Sequence, residues 1–349
     1  MGPVKVSTRP EGPEQMPTHP PPKIAWVLGD PAGIGPEIIA KSLADPGMMH
    51  VCQPVVVGPA WLLQRGMQVA KVSLQASPCE AAQLGACPPG MIPVVDDGWP
   101  PLDLLPGTLS AAAGKLSIEM LRRAVDMARA GAVNAVVFGP LNKEALRLGG
   151  SPHGDEHQLV AEWLGETEFG EINAAAGLFT TRVTSHVPLK DVPSLLHPDK
   201  IVKAVKMLHT TLVRAGIPDP VIAVAALNPH GGEHGLFGDE EQTVIAPGVA
   251  KARTAGFPAV GPFPADTIFV RARRGEFHGV VTMYHDQGQI ATKLLGFDRG
   301  VTLMGGISLV VTTPAHGTAF DIAGKGLANP EAFQAAVQLA ARMVARRAS

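Results

Sequence analysis

The stretch Ile24-Ala-Trp-Val-Leu28, followed at once by Gly29-Asp-Pro-Ala-Gly-Ile-Gly-Pro36, decides the fold. Consecutive apolar residues bounded by glycine read as a strand buried on both faces. The glycine-rich segment behind it opens a helix, with Pro36 at the first helical position, where its missing N–H costs nothing. Amides at such a turn could cradle an anion. The segment is nevertheless not a dinucleotide fingerprint, because Ile38 stands where the third glycine of GxGxxG belongs, and a tight strand-to-helix turn is the simpler reading. The same alternation continues along the chain. Val133–Phe138, Val221–Leu227 and Gly279–Met283 read as further buried strands. Lys115–Ala130 sets Leu116, Met120, Leu121, Ala124 and Ala128 on one helical face, and Asp199–Arg214 does so with Ile201, Val205, Leu208 and Leu212 before Gly216. Strand and helix in alternation imply an α/β fold with a largely parallel sheet.

Composition narrows the function classes. The 349 residues are 46% hydrophobic and 17% charged, enough to bury a large core and to form two domains. A formal charge of −2 without a basic block argues against nucleic acid or an anionic membrane as partner, leaving a small molecule as the ligand. Three cysteines, Cys52, Cys79 and Cys87, without a CxxC pair support neither a disulfide framework nor a cysteine zinc site, which fits a reducing cytoplasm. No apolar run nears the roughly 18 residues that span a bilayer, and prolines occupy the place of a signal peptide's apolar stretch. Residues 1–22 hold seven prolines and read as a flexible arm. Gly149–Gly154 and Gly261–Pro264 are candidate hinges or turns.

Three histidines carry the chemistry. His186 in Thr-Ser-His-Val-Pro, His230 in Asn-Pro-His-Gly-Gly and His285 in Met-Tyr-His-Asp-Gln-Gly each fall where a strand exits into a loop. Ligands of open α/β sheets collect beyond the carboxyl ends of the strands, and three neutral imidazoles with one open position describe a catalytic divalent-metal site. Taken singly, each is equally at home as a loop residue or a hydrogen-bonded core group. Asp286, Asp266 and Lys190 share these loops; they are candidates for acid–base work, or, for the aspartates, for holding a histidine in one tautomer.

The segment His316-Gly-Thr-Ala-Phe-Asp321-Ile-Ala-Gly-Lys-Gly-Leu-Ala-Asn329-Pro resembles the adenosine-binding loop of the isopropylmalate and isocitrate dehydrogenases. That resemblance implies NAD rather than NADP. His316, Gly317, Thr318, Ala319, Asp321 and Asn329 would form the cofactor site, with Asp321 accepting from the ribose hydroxyls and repelling a 2′-phosphate. Across nearly everything after Lys23 the chain resembles the 4-hydroxythreonine-4-phosphate dehydrogenase family. The strings that carry this are residues 29–37, Pro-Leu-Asn-Lys at 140–143, His186 before Val-Pro, Asn-Pro-His at 228–230, Tyr-His-Asp-Gln-Gly at 284–288 and His-Gly-Thr-Ala at 316–319. The resemblance implies an isocitrate/isopropylmalate dehydrogenase-like subunit with a cleft between two α/β/α domains. The first domain would comprise 23–150 with 305–349 and carry the NAD loop; the second, 151–304, would carry the metal site and dimer contacts. It further implies a homodimer with a shared active site, and His186, His230 and His285 as ligands, drawn from both subunits, of one divalent metal: zinc first, with Mg, Mn or Co as alternatives. Family members oxidise a secondary alcohol beta to a carboxylate with NAD, and the β-keto acid loses carbon dioxide.

The departures from the family concern the substrate. Of the residues that hold a phosphate monoester in family members only Lys293 survives; Glu156 and His157, Thr302 and Val311 stand at the other positions. Losing an arginine removes a bidentate phosphate contact. The expected substrate is therefore a cis-dihydrodiol carboxylate such as terephthalate 1,2-cis-dihydrodiol, with Lys293, Thr302, His157 and Asn142 as its contacts. The alternative is 4-phosphohydroxy-L-threonine or D-erythronate or D-threonate 4-phosphate. From another class, a phosphate acyltransferase or a non-catalytic binding protein is the competing reading, since fold alone does not fix function.

Overall fold

A computed structural model describes residues 21–345, so the proline-rich arm expected over 1–22 lies almost wholly outside the described residues. The strands in chain order are β1 (Lys23–Val27), β2 (Gln53–Val57), β3 (Ala76–Cys79), β4 (Ile92–Val95), β5 (Ala135–Phe138), β6 (Gly170–Ala175), β7 (Leu178–Arg182), β8 (Ile222–Ala225), β9 (Ala259–Phe263), β10 (Gly279–Thr282), β11 (Val301–Gly305) and β12 (Val310–Pro314). The chain forms two compact units, one being Phe169–Phe297 and the other the residues on either side of it.

In the larger unit the strand order is β3-β4-β2-β1-β5-β12-β11, parallel throughout except for the β11–β12 pair. Ile24, Ala25, Trp26 and Val27 are all buried, as a parallel strand covered on both faces requires. Helix Ala111–Arg129 packs on β1, β2 and β5, and helix Glu331–Ala345 on β5 and β12. Trp26 meets Phe333 of the latter edge-to-face, with ring centroids 5.2 Å apart. The expected face of the first helix is buried at Leu116, Met120, Leu121 and Ala124. Its start lies four residues before Lys115 because Ser110 caps it, Oγ accepting from the Ala113 amide.

The smaller unit runs β6-β7-β10-β8-β9, with β6–β7 antiparallel and the remaining pairs parallel. Its core gathers Leu178, Ala223, Ala225, Ile268, Ala272, Phe277 and Val280. Helix Pro198–Arg214 packs on β7, β8 and β10, burying Ile201, Val205, Leu208 and Leu212 as its periodicity predicts. A side chain at Gly279 would press on Leu208, so the glycine lets helix and strand close up.

The α/β class and the mostly parallel sheet are as expected; the unit boundaries are not. They fall at 168/169 and 297/298 rather than 150/151 and 304/305. Helix Glu156–Leu164 stays with the larger unit because Arg122 lies over the Trp163 ring and Arg129 donates to the Trp163 carbonyl at 3.1 Å. β11 stays because it pairs with β12. Among the described residues no helix is long and apolar enough to cross a membrane.

Candidate active site

β7, β10 and β8 are adjacent, parallel strands, and His186, His230 and His285 each lie a few residues past the carboxyl end of one of them. That is where ligands of such sheets bind. The His186 and His285 rings are 5.7 Å apart between centroids, close enough for both to reach one ion through bonds of about 2.0–2.1 Å. His230 lies in Pro229–Gly235 with its Nδ1 3.5 Å from Glu233, and among the described residues no three His, Cys, Asp or Glu side chains form a group that could hold a metal. Two of the three donors thus suit a divalent cation within one chain, and the third does not join them there.

The loops that carry these rings are firmly held. His186 and His230 have left-handed backbones (φ 54° and 53°), a conformation few non-glycine residues adopt and one that concentrates at functional sites. Before His230, the buried Glu241 carboxylate accepts from the Leu227 and Asn228 amides at 2.7 Å each, and the Asn228 side chain donates to Glu240 and Glu241. This claim on Leu227 ends β8 two residues before the expected strand does. Beside His186, Arg182 donates through Nε to Ser185 and through its guanidinium to Glu171 and Asn173. Gln289, one turn beyond His285 on helix His285–Gly296, donates to the same Asn173 oxygen at 2.6 Å. One polar network therefore joins the His186 loop to the His285 helix.

Asp286 sits 2.6 Å from His285 Nδ1, the geometry of a carboxylate that fixes a tautomer and leaves Nε2 for a ligand. Lys190 is exposed in the 3-10 turn after His186; Asp266 is exposed in the first turn of helix Ala265–Arg273, which packs against the His230 loop. Lys293 lies exposed near the end of the His285 helix.

The remaining candidates belong to the larger unit. Ile34 donates its amide to the Thr318 carbonyl at 3.1 Å, and a Cβ at Gly33 would crowd the Thr318 side chain, so the glycine-rich turn and the segment 316–329 lie against each other. His316 is half-buried and Asp321 exposed; Gly317, Thr318 and Ala319 lie between them. Asp321's exposed carboxylate offers acceptors of the kind a ribose diol needs, and Gly324 lines a small cavity with Gly33, Pro36, Glu37 and Arg65. That carboxylate acceptor fits the ribose hydroxyls of a nucleotide. Asn329 caps helix Glu331–Ala345 through Oδ1, and Asn142 caps helix Lys143–Leu148 by accepting from Ala145 at 2.9 Å, so both asparagines already hold a helix end. His157 is buried with its Nδ1 3.9 Å from Glu156, and Thr302 is buried in β11.

Sequence reasoning missed Asp30. It sits at the end of β1, 1% exposed, with Oδ1 accepting from the Ala32 amide and Oδ2 without a hydrogen-bond partner among the described residues. Burial pushes its pKa up to about 6, against the opposing pull of the Ala32 and Asn142 amides and of Arg65. The signal was an acid placed directly after an apolar strand, inside a turn read only for its glycines.

The family model described as pyridoxal phosphate biosynthetic protein PdxA matches residues 50–340. A relative from Pseudomonas aeruginosa, provisionally named 4-hydroxythreonine-4-phosphate dehydrogenase 2, is 44% identical over 92% of this chain and 97% of its own. A D-threonate 4-phosphate dehydrogenase from Cupriavidus necator is 39% identical, covering 94% and 98%. The crystal structure of a 4-hydroxythreonine-4-phosphate dehydrogenase from Klebsiella pneumoniae superposes with a TM-score of 0.79 at 38% identity, over 93% of this chain and 99% of that one. The terephthalate 1,2-cis-dihydrodiol dehydrogenase from Burkholderia xenovorans LB400 is more distant, with a TM-score of 0.62, 30% identity and coverage of 88% and 94%. These likenesses favour the phosphorylated alternative over the dihydrodiol carboxylate expected from the sequence. The expectation counted a lost arginine, Val311 now being buried in β12. It gave too little weight to Lys293, since a lysine binds phosphate as a point charge without the fork.

Proposed function

Because the chain belongs to the PdxA family, we propose that it is an NAD- and metal-dependent dehydrogenase that oxidises the secondary alcohol of a phosphorylated hydroxy acid, with loss of carbon dioxide from the β-keto product. The substrate is 4-phosphohydroxythreonine or a four-carbon sugar acid 4-phosphate such as D-threonate 4-phosphate. The observation that carries this reading is the pair of imidazoles, His186 and His285, held 5.7 Å apart beyond neighbouring parallel strands.

His186 and His285 would hold the cation, with His230 completing the set. The chemistry these groups would supply when bound is polarisation of the reacting oxygen by the cation and a hydride acceptor in NAD. Asp286, 2.6 Å from His285 Nδ1, would hold the hydrogen on that nitrogen and leave Nε2 free for the cation. Lys190 and Asp266 are the candidates to take the alcohol's proton. Lys293 supplies positive charge to the phosphate; on the larger unit, Thr302, His157 and the amide hydrogens of Asn142 are the proposed substrate donors. Asp321 accepts from the ribose hydroxyls. A homodimer is part of the reading, and Ile290 and Leu294, one turn apart on the His285 helix and 62% and 84% exposed, support it as apolar surface left for a partner. Three free cysteines agree with a cytoplasmic setting.

The test follows NAD reduction at its near-ultraviolet absorbance with 4-phosphohydroxythreonine, D-threonate 4-phosphate, D-erythronate 4-phosphate and terephthalate cis-dihydrodiol at matched concentrations, with and without chelator. Chelator-sensitive turnover of a phosphate ester is expected. Equal or faster turnover of the dihydrodiol, or no reduction with any of them, refutes the reading.

A further inference from the structure

Helix Gly35–Leu43 carries an ion pair whose connections leave the helix. Glu37, 3% exposed, accepts through Oε1 from Lys41 Nζ at 2.8 Å and from the Ala328 amide at 2.8 Å. Lys41 Nζ also donates to the carbonyls of Gly326 (2.9 Å) and Ala328 (2.7 Å). An exposed pair at this i,i+4 spacing contributes little to stability. This one is largely buried, and its outside partners lie 285–291 residues further along the chain. Together the two side chains make three charge-assisted bonds to the backbone of residues 326–328, which their short spacing makes hard to replace by water.

The rest of that segment is tied locally. Lys325 Nζ donates to the Asp321 carbonyl at 2.7 Å, and Asn329 caps the next helix. Asp321 itself is exposed. Its carboxylate therefore rides on a loop that, among the described residues, Glu37 and Lys41 tie by side-chain hydrogen bonds at its 326–328 end.

We propose that Glu37 and Lys41 are positioning residues for the nucleotide, a buried ionic latch that holds residues 321–329 in the shape that presents Asp321 to the ribose. The inference rests on the reading that this loop takes NAD. Lys41→Gln removes the charge and keeps much of the length; Glu37→Gln keeps an acceptor for Ala328 and leaves the ammonium without a counter-charge.

Two measurements test it on the full-length protein. The first is the dissociation constant for NAD and for ADP-ribose, with the kcat and KM values for both substrates. Lys41→Gln is expected to weaken both nucleotides by about tenfold, the size of one lost charge-assisted hydrogen bond. At saturating NAD, kcat and the KM for the hydroxy acid should stay within about twofold, and Lys41→Arg should recover part of the affinity. The second is hydrogen exchange at the Ala328 amide without ligand, expected to quicken in Lys41→Gln and Glu37→Gln while helix Gly35–Leu43 stays protected. Unchanged nucleotide affinity in folded variants overturns the proposal, as does exchange that rises evenly through the helix. Wild-type protein that binds neither NAD nor ADP-ribose would sink the functional reading instead, and the positioning role with it. Unaltered Ala328 exchange sinks the latch alone.

Discussion

Asp30 gives the pH dependence of stability a specific source. Its carboxyl stays protonated in the folded chain up to about pH 6, because burial disfavours the anion, whereas its ordinary pKa is 3.8. Between those values the folded state binds the extra proton, so stability falls as pH rises through the window. At about 1.36 kcal/mol per pH unit the loss comes to roughly 3 kcal/mol, complete by about pH 7. Asp30→Asn keeps an oxygen for the Ala32 amide and does not titrate. The variant's stability relative to wild type should therefore rise by about 2.4 kcal/mol between pH 4 and pH 7. Urea unfolding at stepped pH, followed by tryptophan fluorescence, reads this directly, because Trp26, Trp61, Trp99 and Trp163 all lie in the larger unit with Asp30. Taking the difference between variant and wild type cancels the other titrating groups. A difference that is flat across the window, or that falls with pH, refutes the reasoning. Arg65→Met supplies a second arm: it removes the charge that pulls the Asp30 pKa down, and should move the window to higher pH.

Replacing His186 or His285 with alanine should abolish stoichiometric divalent-metal binding, measured by elemental analysis after dialysis, and lower kcat/KM by at least about a hundredfold. Asp286→Asn should weaken metal affinity by about 10–100-fold without emptying the site. Lys293→Ala should raise the KM for a phosphate-ester substrate about tenfold or more, with phosphate as a competitive inhibitor weakened in parallel; an unchanged KM moves the phosphate elsewhere. Gly114→Ala should cost about 1–3 kcal/mol or more in urea unfolding, because its Cβ would fall 1.7 Å from the Ala145 carbonyl oxygen where helix Ala111–Arg129 meets helix Lys143–Leu148. Asn142→Ala should cost about 1 kcal/mol through the lost cap, while Asn142→Asp keeps the cap and loses only the amide donors. Substrate affinity that falls in both variants assigns Asn142 to the ligand as well.

The sequence made β1, β5, β8 and β10 legible to within a residue or two because buried parallel strands are uninterrupted apolar runs, and periodicity does not compete with anything there. β3, β6, β9 and β11 carried no such signal; their residues are mixed, and pairing with a neighbour makes them strands. Unit boundaries failed for the same reason. What keeps helix Glu156–Leu164 and β11 with the larger unit is an arginine over Trp163 and a ladder to β12, contacts between segments that sequence shows separately. The histidines were legible as strand-end residues, since that depends only on local pattern. Their grouping was expected from the strand-end pattern and the family resemblance; within one chain the structure draws His186 to His285, leaving His230 apart, through a network whose arginine, asparagine and glutamine look like ordinary polar surface in the sequence.

Asn142 and Asn329 show a subtler limit. Both stand in loops that lead into helices at the positions where ligands gather, and asparagine is favoured there for a reason that has nothing to do with ligands: its carbonyl oxygen satisfies an orphan amide of the first turn. Sequence alone cannot separate the two demands, because they select the same residue. Atom by atom they do separate. Capping consumes Oδ1 and fixes the side-chain torsions, which leaves the NH2 group pre-oriented with its rotamer entropy already lost to the helix end. A donor held in that way suits an anionic or hydroxylated ligand better than a free side chain would, so the cap that explains the residue without function also lowers the cost of using it for one.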